Sequence, residues 1–241
     1  MSQRKRIGVL TPSSNTALEP LTSAMVASVP GVTAHFARFT VTEISLKEAA
    51  LRQFDDSRIL EAARLLADAH VDVIGWSGTS SSWLGFERDT QLCARITEAT
   101  GIPATTSVLA LNEVLAAARV RKLGLVTPYV PDVQQRIMAS YRGIGVDCTA
   151  ERHMDISVNF DFAEVEPDTL ARLAREVAAA HPDAITMLCT NLRSAQLVDS
   201  LERELGMPIF DSTATVVWKA LKLIGADTRQ VHAWGRLFRD F

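Results

Sequence analysis

Apolar residues fall in short unbroken runs along this chain, and each run gives way to a polar loop and then to residues at helical spacing. The first run predicts a buried strand over 6–10, followed by Thr-Pro-Ser-Ser-Asn-Thr and a helix over 18–29 that Pro30-Gly31 stops. Ser13, Ser14 or Asn15 would cap that helix. Alternation over 32–39 predicts a second strand, the spacing over 58–69 an amphipathic helix, and 71–76 a third strand entering Ser-Gly-Thr-Ser-Ser-Ser. A helix over 88–100 ends at Gly101-Ile102-Pro103. A short strand over 104–106 follows, and Ser107 is expected to cap a helix over 108–119.

The pattern then begins again. Lys122-Leu-Gly-Leu-Val-Thr-Pro-Tyr echoes Arg6-Ile-Gly-Val-Leu-Thr-Pro-Ser, and Pro182-Asp-Ala-Ile-Thr-Met-Leu-Cys-Thr echoes Val71-Asp-Val-Ile-Gly-Trp-Ser-Gly-Thr. Gly206-Met-Pro-Ile-Phe-Asp-Ser likewise echoes Gly101-Ile-Pro-Ala-Thr-Thr-Ser. Echoes roughly 110 residues apart are far too long for a solenoid and indicate a duplicated half. The expected fold is therefore α/β: two pseudo-symmetric, doubly wound parallel-sheet halves with the active site in the cleft between them. Residues 1–115 with 214–241 are expected to form the first half, its last helix crossing over, and 116–213 the second. The acidic stretch 161–168 reads as a solvated loop before a helix over 169–180.

Composition narrows the function. With 241 residues, 47% of them hydrophobic, the chain can bury a full core. A net charge of −3 with no basic stripe argues against nucleic acid as a partner. No uncharged run would span a bilayer, and Met-Ser-Gln-Arg-Lys-Arg passes directly into a strand, so no membrane partner and a cytoplasmic location are expected. Cys93, Cys148 and Cys189 are odd in number and unclustered, which predicts reduced thiols rather than disulfides or zinc ligands. The five histidines have no metal-ligand spacing, and neither a dinucleotide fingerprint nor a Walker motif is present. No metal and no cofactor are expected, and a homo-oligomer stays open.

What remains is one thiol and several polar loops. Cys189 ends a predicted strand and precedes Thr190-Asn191 and a helix-like segment, whose N-terminus would favour a thiolate. A buried core cysteine is the competing reading. It stands for Cys93, inside a helix pattern, and for Cys148, inside a strand-like run. In the repeat, Gly78 is the counterpart of Cys189. The loop from Ser77 through Thr79 and Ser80 to Ser82 offers amides and hydroxyls to a carboxylate or an oxyanion, or is an ordinary turn. Ser14 and Asn15 make a similar loop, with Tyr129 at the matching place in the second half. Trp76, Trp83 and Leu84 read first as core and second as an apolar wall. Gly75-Trp76-Ser77-Gly78 lacks the spacing of a nucleophile elbow, which sets a serine hydrolase aside.

On Pro12-Ser13-Ser14-Asn15, Gly78-Thr79-Ser80, Thr127-Pro128-Tyr129, Cys189-Thr190-Asn191 and Gly235-Arg236-Leu237-Phe238, nearly the whole chain resembles the aspartate/glutamate racemase superfamily. The branch is that of maleate cis-trans isomerases and arylmalonate decarboxylases. The resemblance implies a small carboxylate substrate, catalysis without metal or organic cofactor, and a cysteine in each half of the racemases and isomerases. Gly78 departs from that two-thiol pattern and looks like the decarboxylases, which keep only the second cysteine. Pro-Ser-Ser-Asn, Cys-Thr-Asn and Asn159 look like the isomerases.

The resemblance makes Cys189 the catalytic residue, a one-sided proton donor in the decarboxylation of a substituted malonate. Ser14, Asn15, Gly78, Thr79, Ser80, Tyr129, Asn159, Thr190 and Asn191 would bind substrate or oxyanion. An isomerase with Cys189 as nucleophile is the enzymatic alternative, and a non-catalytic carboxylate-binding protein the alternative of another class.

Overall fold

Strand β1 (Lys5–Pro12) is buried over its last six residues because it has a partner on each side, β2 (Val32–Phe39) and β3 (Val73–Trp76), both parallel. Between them lie α1 (Leu18–Val26), α2 (Glu48–Leu51) and α3 (Asp56–Asp68). Helices α4 (Ser81–Leu84) and α5 (Glu87–Thr100) lead to β4 (Ala104–Thr106), which completes a four-stranded sheet of order β2-β1-β3-β4, and α6 (Ser107–Ala117) follows. The computed structural model describes residues 4–51, 53 and 56–241.

The second half repeats the plan. Strand β5 (Lys122–Thr127), α7 (Pro131–Gly143), β6 (Asp147–His153), α8 (Pro167–Ala178), β7 (Ala184–Met187), α9 (Val198–Leu205) and β8 (Ile209–Asp211) form a parallel sheet of order β6-β5-β7-β8. In each sheet the chain leaves the first strand towards one edge and returns to the other. The loops at the carboxyl ends of β1 and β3, and of β5 and β7, thus flank a topological switch point, where open α/β sheets bind ligands. Helix α10 (Ser212–Leu223) packs on α6, α1 and β3 of the first sheet, and α11 (Leu237–Asp240) closes the chain. Among the described residues no helix is long and apolar enough to cross a membrane.

Three local expectations change. Thr106, not Ser107, caps α6: its hydroxyl accepts from Leu109 N at 3.0 Å, and Ser107 is already the first helical residue. Helix α1 stops at Val26, short of Pro30-Gly31. The acidic stretch is not merely a solvated loop. Its start is a short 3₁₀ turn (Phe160–Glu164) that buries Phe162 and Ala163, with the Phe162 ring edge-on to Tyr129 at 5.6 Å between centroids.

The duplicated halves also exchange one pair of residues. In the first, the Asp89 carboxylate accepts a very short hydrogen bond from the hydroxyl of the capping residue Thr106. In the second, Ser194 Oγ donates to the carboxylate of the capping residue Asp211 at 2.5 Å. The same hydroxyl–carboxylate link is kept with donor and acceptor swapped. Burial pushes both carboxyls up to about 6.

Candidate active site

Cys189 stands two residues beyond β7, held there by Leu188 N, which donates to Val126 O at 2.9 Å. No α-helix begins beside it. Thr190 to Ser194 are turn and bend, a 3₁₀ turn occupies Ala195–Leu197, and α9 starts only at Val198. The expected helix-terminus activation is therefore absent. Single amides take its place, with Asn191 N donating to Sγ at 3.4 Å. Burial outweighs them, and the thiol, 3% exposed, is pushed up to about 12, against help from the Tyr129 hydroxyl and the Asn191 amide. Cys189 is held as a neutral thiol.

The cavity in front of it brings residues of both halves together: Gly78, Thr79 and Ser80 from one, Tyr129, Asn159, Cys189 and Thr190 from the other. Tyr129 is 2% exposed, its phenol hydroxyl is 2.6 Å from Thr79 Oγ1, and the same hydroxyl pulls the Cys189 thiol pKa down against burial. Burial raises the Tyr129 pKa well above the ordinary phenol value, so it is a hydroxyl donor throughout the physiological range. The amides of Thr79 and Ser80 donate to no acceptor among the described residues.

Ser14, Asn15 and Asn191 do not line the cavity; they stand behind it with their polar atoms committed. Ser14 Oγ donates to Val41 O at 2.6 Å and accepts from Asn159 Nδ2 at 2.7 Å. Asn15 Oδ1 accepts from Ala17 N and Leu18 N at 3.0 and 2.9 Å, capping α1, and its Nδ2 donates to Thr190 Oγ1 at 3.4 Å. Asn191 Oδ1 reaches across the halves to Thr16 N and Ala17 N at 2.9 and 3.2 Å, and its Nδ2 donates to Asn159 O at 2.5 Å.

The sequence reading missed most of the apolar wall: Pro12, Val41 and Ile44 line the cavity beside Trp76 and Trp83. Val41 and Ile44 sit in the loop after β2, and Asn159 in the equivalent loop after β6. The two loops clasp each other: Glu43 and Val158 form an antiparallel bridge, Ile44 N donates to Ser157 O at 2.8 Å, and Asn159 N to Thr42 O at 2.9 Å. Under this clasp the cavity is about 20 Å³, room for about one water. The signal for the clasp was the repeat itself, since both loops follow the second strand of their half. Leu84 lines a neighbouring cavity instead.

Two α/β halves with one thiol, paired hydroxyls and free amides at their shared cleft define an enzyme of the aspartate/glutamate racemase superfamily, in the branch of arylmalonate decarboxylases and maleate isomerases. Residues 8–238 match the arylmalonate decarboxylase family, and the chain belongs to it. It is 31% identical to the arylmalonate decarboxylase of Bordetella bronchiseptica over 185 residues, 76% of this chain and 77% of that one. It is 23% identical to the maleate isomerase of Geobacillus stearothermophilus across 95% of each chain.

Among solved structures, the maleate cis-trans isomerase of Nocardia farcinica superposes with a TM-score of 0.90 at 22% identity, covering 98% of this chain and 99% of the other. That structure is a cysteine-to-serine variant carrying a covalent succinylcysteine intermediate. An arylmalonate decarboxylase with one glycine changed to cysteine and one cysteine to serine, in liganded form, gives a TM-score of 0.84 at 25% identity over 98% of this chain and 100% of that one. The expectation of two α/β halves is met, and the reading without catalysis falls.

Proposed function

We propose that this enzyme decarboxylates a small substituted malonate, with Cys189 delivering a proton to one face of the product. The observation that supports this most directly is the pairing of Gly78 with Cys189 around one cavity: the cleft carries a thiol on one side and none on the other. A glycine and a cysteine are also the two residue types exchanged in the liganded decarboxylase variant.

One substrate carboxylate sits against the Thr79 and Ser80 amides and the Thr79 and Tyr129 hydroxyls. The other faces Val41, Ile44 and Trp83, where losing charge as carbon dioxide is favourable. The electrons of the breaking C–C bond pass into an enediolate at the first carboxylate. Cys189 Sγ–H then protonates the α-carbon, and the thiolate left behind is held by the Tyr129 hydroxyl and the Asn191 amide until it takes a proton from water. The raised thiol pKa serves this order of events, because a donor must begin protonated. Ser14, Asn15 and Asn191 act from behind by fixing Asn159, Thr190 and the loop between β1 and α1. The reading includes the division of the chain into 1–115 with 214–241 and 116–213, supported by the packing of α10 on the first sheet. It also includes a cytoplasmic location, which free cysteines at 93, 148 and 189 fit.

Turnover of an arylmalonate in deuterated water tests it. The product carries deuterium in a single configuration, and Cys189→Ala loses nearly all turnover. Full activity in that variant sinks the assignment.

A second reading, cis-trans isomerisation of a maleate-like substrate with Cys189 adding to the double bond, is favoured by the 95% coverage of the maleate isomerase. It requires a mass adduct on Cys189 when protein is quenched with maleate. Decarboxylation leaves the protein mass unchanged.

A further inference from the structure

The space that a side chain at position 78 would need is already filled. A Cβ built on Gly78 meets the Trp76 ring at 2.0 Å from Cζ2, 2.4 Å from Cε2 and 2.6 Å from Cη2, all well inside van der Waals contact. The indole is 2% exposed and packs on Phe39 with ring centroids 5.0 Å apart. The ring packs against Phe39 and lies close to Gly78. Trp76 is the last residue of β3, in register with Leu10 and Thr106, so the sheet fixes its Cα as well.

Trp76 lines two cavities. One is the cavity of Cys189, Thr79 and Tyr129, the other is lined by Leu84, Asp89 and Leu92, and Ser80 belongs to both. Each is about 20 Å³.

We infer that Trp76 is a specificity-determining residue which closes the cleft around Gly78 and excludes an acid/base side chain at position 78. The inference rests on the proposed carbon-acid reaction for its catalytic consequence, but its steric part stands apart from it. The cleft is one-sided twice over: position 78 has no thiol, and the indole leaves no volume for one. Restoring a second acid/base therefore takes two changes, not one. Replacing Trp76 with a smaller apolar residue alone enlarges the cleft and admits substrates with larger α-substituents.

A double-mutant cycle tests the steric part without any substrate. Gly78→Ala lowers Tm by on the order of 5 °C, as overpacking does in a domain of this size. Trp76→Leu lowers it through the cavity it opens. The double variant melts above the sum of the two losses, because the new methyl group occupies space the indole has left. Additive shifts, or a Gly78→Ala protein as stable as the parent, overturn the inference.

The catalytic arm uses Gly78→Cys with and without Trp76→Leu, scored by deuterium exchange at the α-carbon of a 2-arylpropionate of each configuration. Exchange of both enantiomers is expected in the double variant, at least tenfold faster than in Gly78→Cys alone. Equal rates in the two proteins overturn the role of Trp76. If the parent enzyme turns over no malonate and neither Cys variant exchanges, the proposed function fails, while the melting cycle still decides the steric claim.

Discussion

Thr79 Oγ1 and the Tyr129 hydroxyl are 2.6 Å apart and belong to different halves, so the bond between them exists only when the cleft is assembled. The same phenol favours the thiolate of Cys189. Tyr129→Phe keeps the ring contacts with Trp83 and Phe162 but removes the hydroxyl that faces both the Thr79 loop and the thiol. Loss of one such donor is expected to lower kcat by about 10²–10³ with little change in fold. Steady-state kinetics beside circular dichroism checks it, and unchanged kcat removes Tyr129 from the reacting centre.

Cys189 is pushed up to about 12, so as a proton donor it stays competent where an ordinary thiol, with a pKa of about 8.5, has ionised. The rate against pH should stay level from about 7 to 10 rather than falling tenfold per unit above 8.5. A nucleophilic thiolate gives the opposite trend, a rate that rises with pH.

Asn159 ties the two covering loops together through Thr42 O, Ser14 Oγ and the Asn191 side chain. Asn159→Ala keeps the backbone bond to Thr42 but cuts the bond to Ser14. KM should rise by about tenfold, a loss of roughly 1.4 kcal/mol in holding the closed cleft. A variant altered in kcat alone would place Asn159 at the chemistry instead.

The two buried carboxyls set an acid-side trend in stability. Asp89 and Asp211 are both raised to about 6 from an ordinary 3.8, so the folded state holds protons there that the unfolded state has released. Their contribution is fully present below about pH 4 and given up as pH rises to about 6. Asp211→Asn still offers an oxygen to Thr213 N and Ala214 N and cannot ionise. Measured against the parent, this variant should gain on the order of 2–3 kcal/mol between pH 4 and pH 6.5. Parallel stability curves for the two proteins would show that Asp211 does not bind that proton.

Much of this was readable from residues alone, and the reason is local. Strands such as 73–76 and 184–187 are buried on both faces and spell nearly continuous apolar runs, and the repeat showed which loops share the cleft. Cys189 and Gly78 came out of that alignment as a pair. What escaped depends on distant packing. Thr190-Asn191-Leu192 resembles a helix start, yet the Asn191 side chain is committed to the amides just before α1, and the α-helix begins only at Val198. Val41 and Ile44 look like loop residues until the loop after β6 meets them. Trp76 reads as core, and it is core, but only the nearness of its ring to Gly78 gives it a bearing on chemistry.

The reach of Asn191 into the other half has a consequence for how the molecule forms. Thr16 N has Asn191 Oδ1 as its partner, whereas Ala17 N is shared with Asn15. A first half folded by itself would leave the Thr16 amide bare at the head of its helix. Its exchange with solvent therefore keeps time with the docking of one half on the other, and that single proton is a clock for assembly of the cleft.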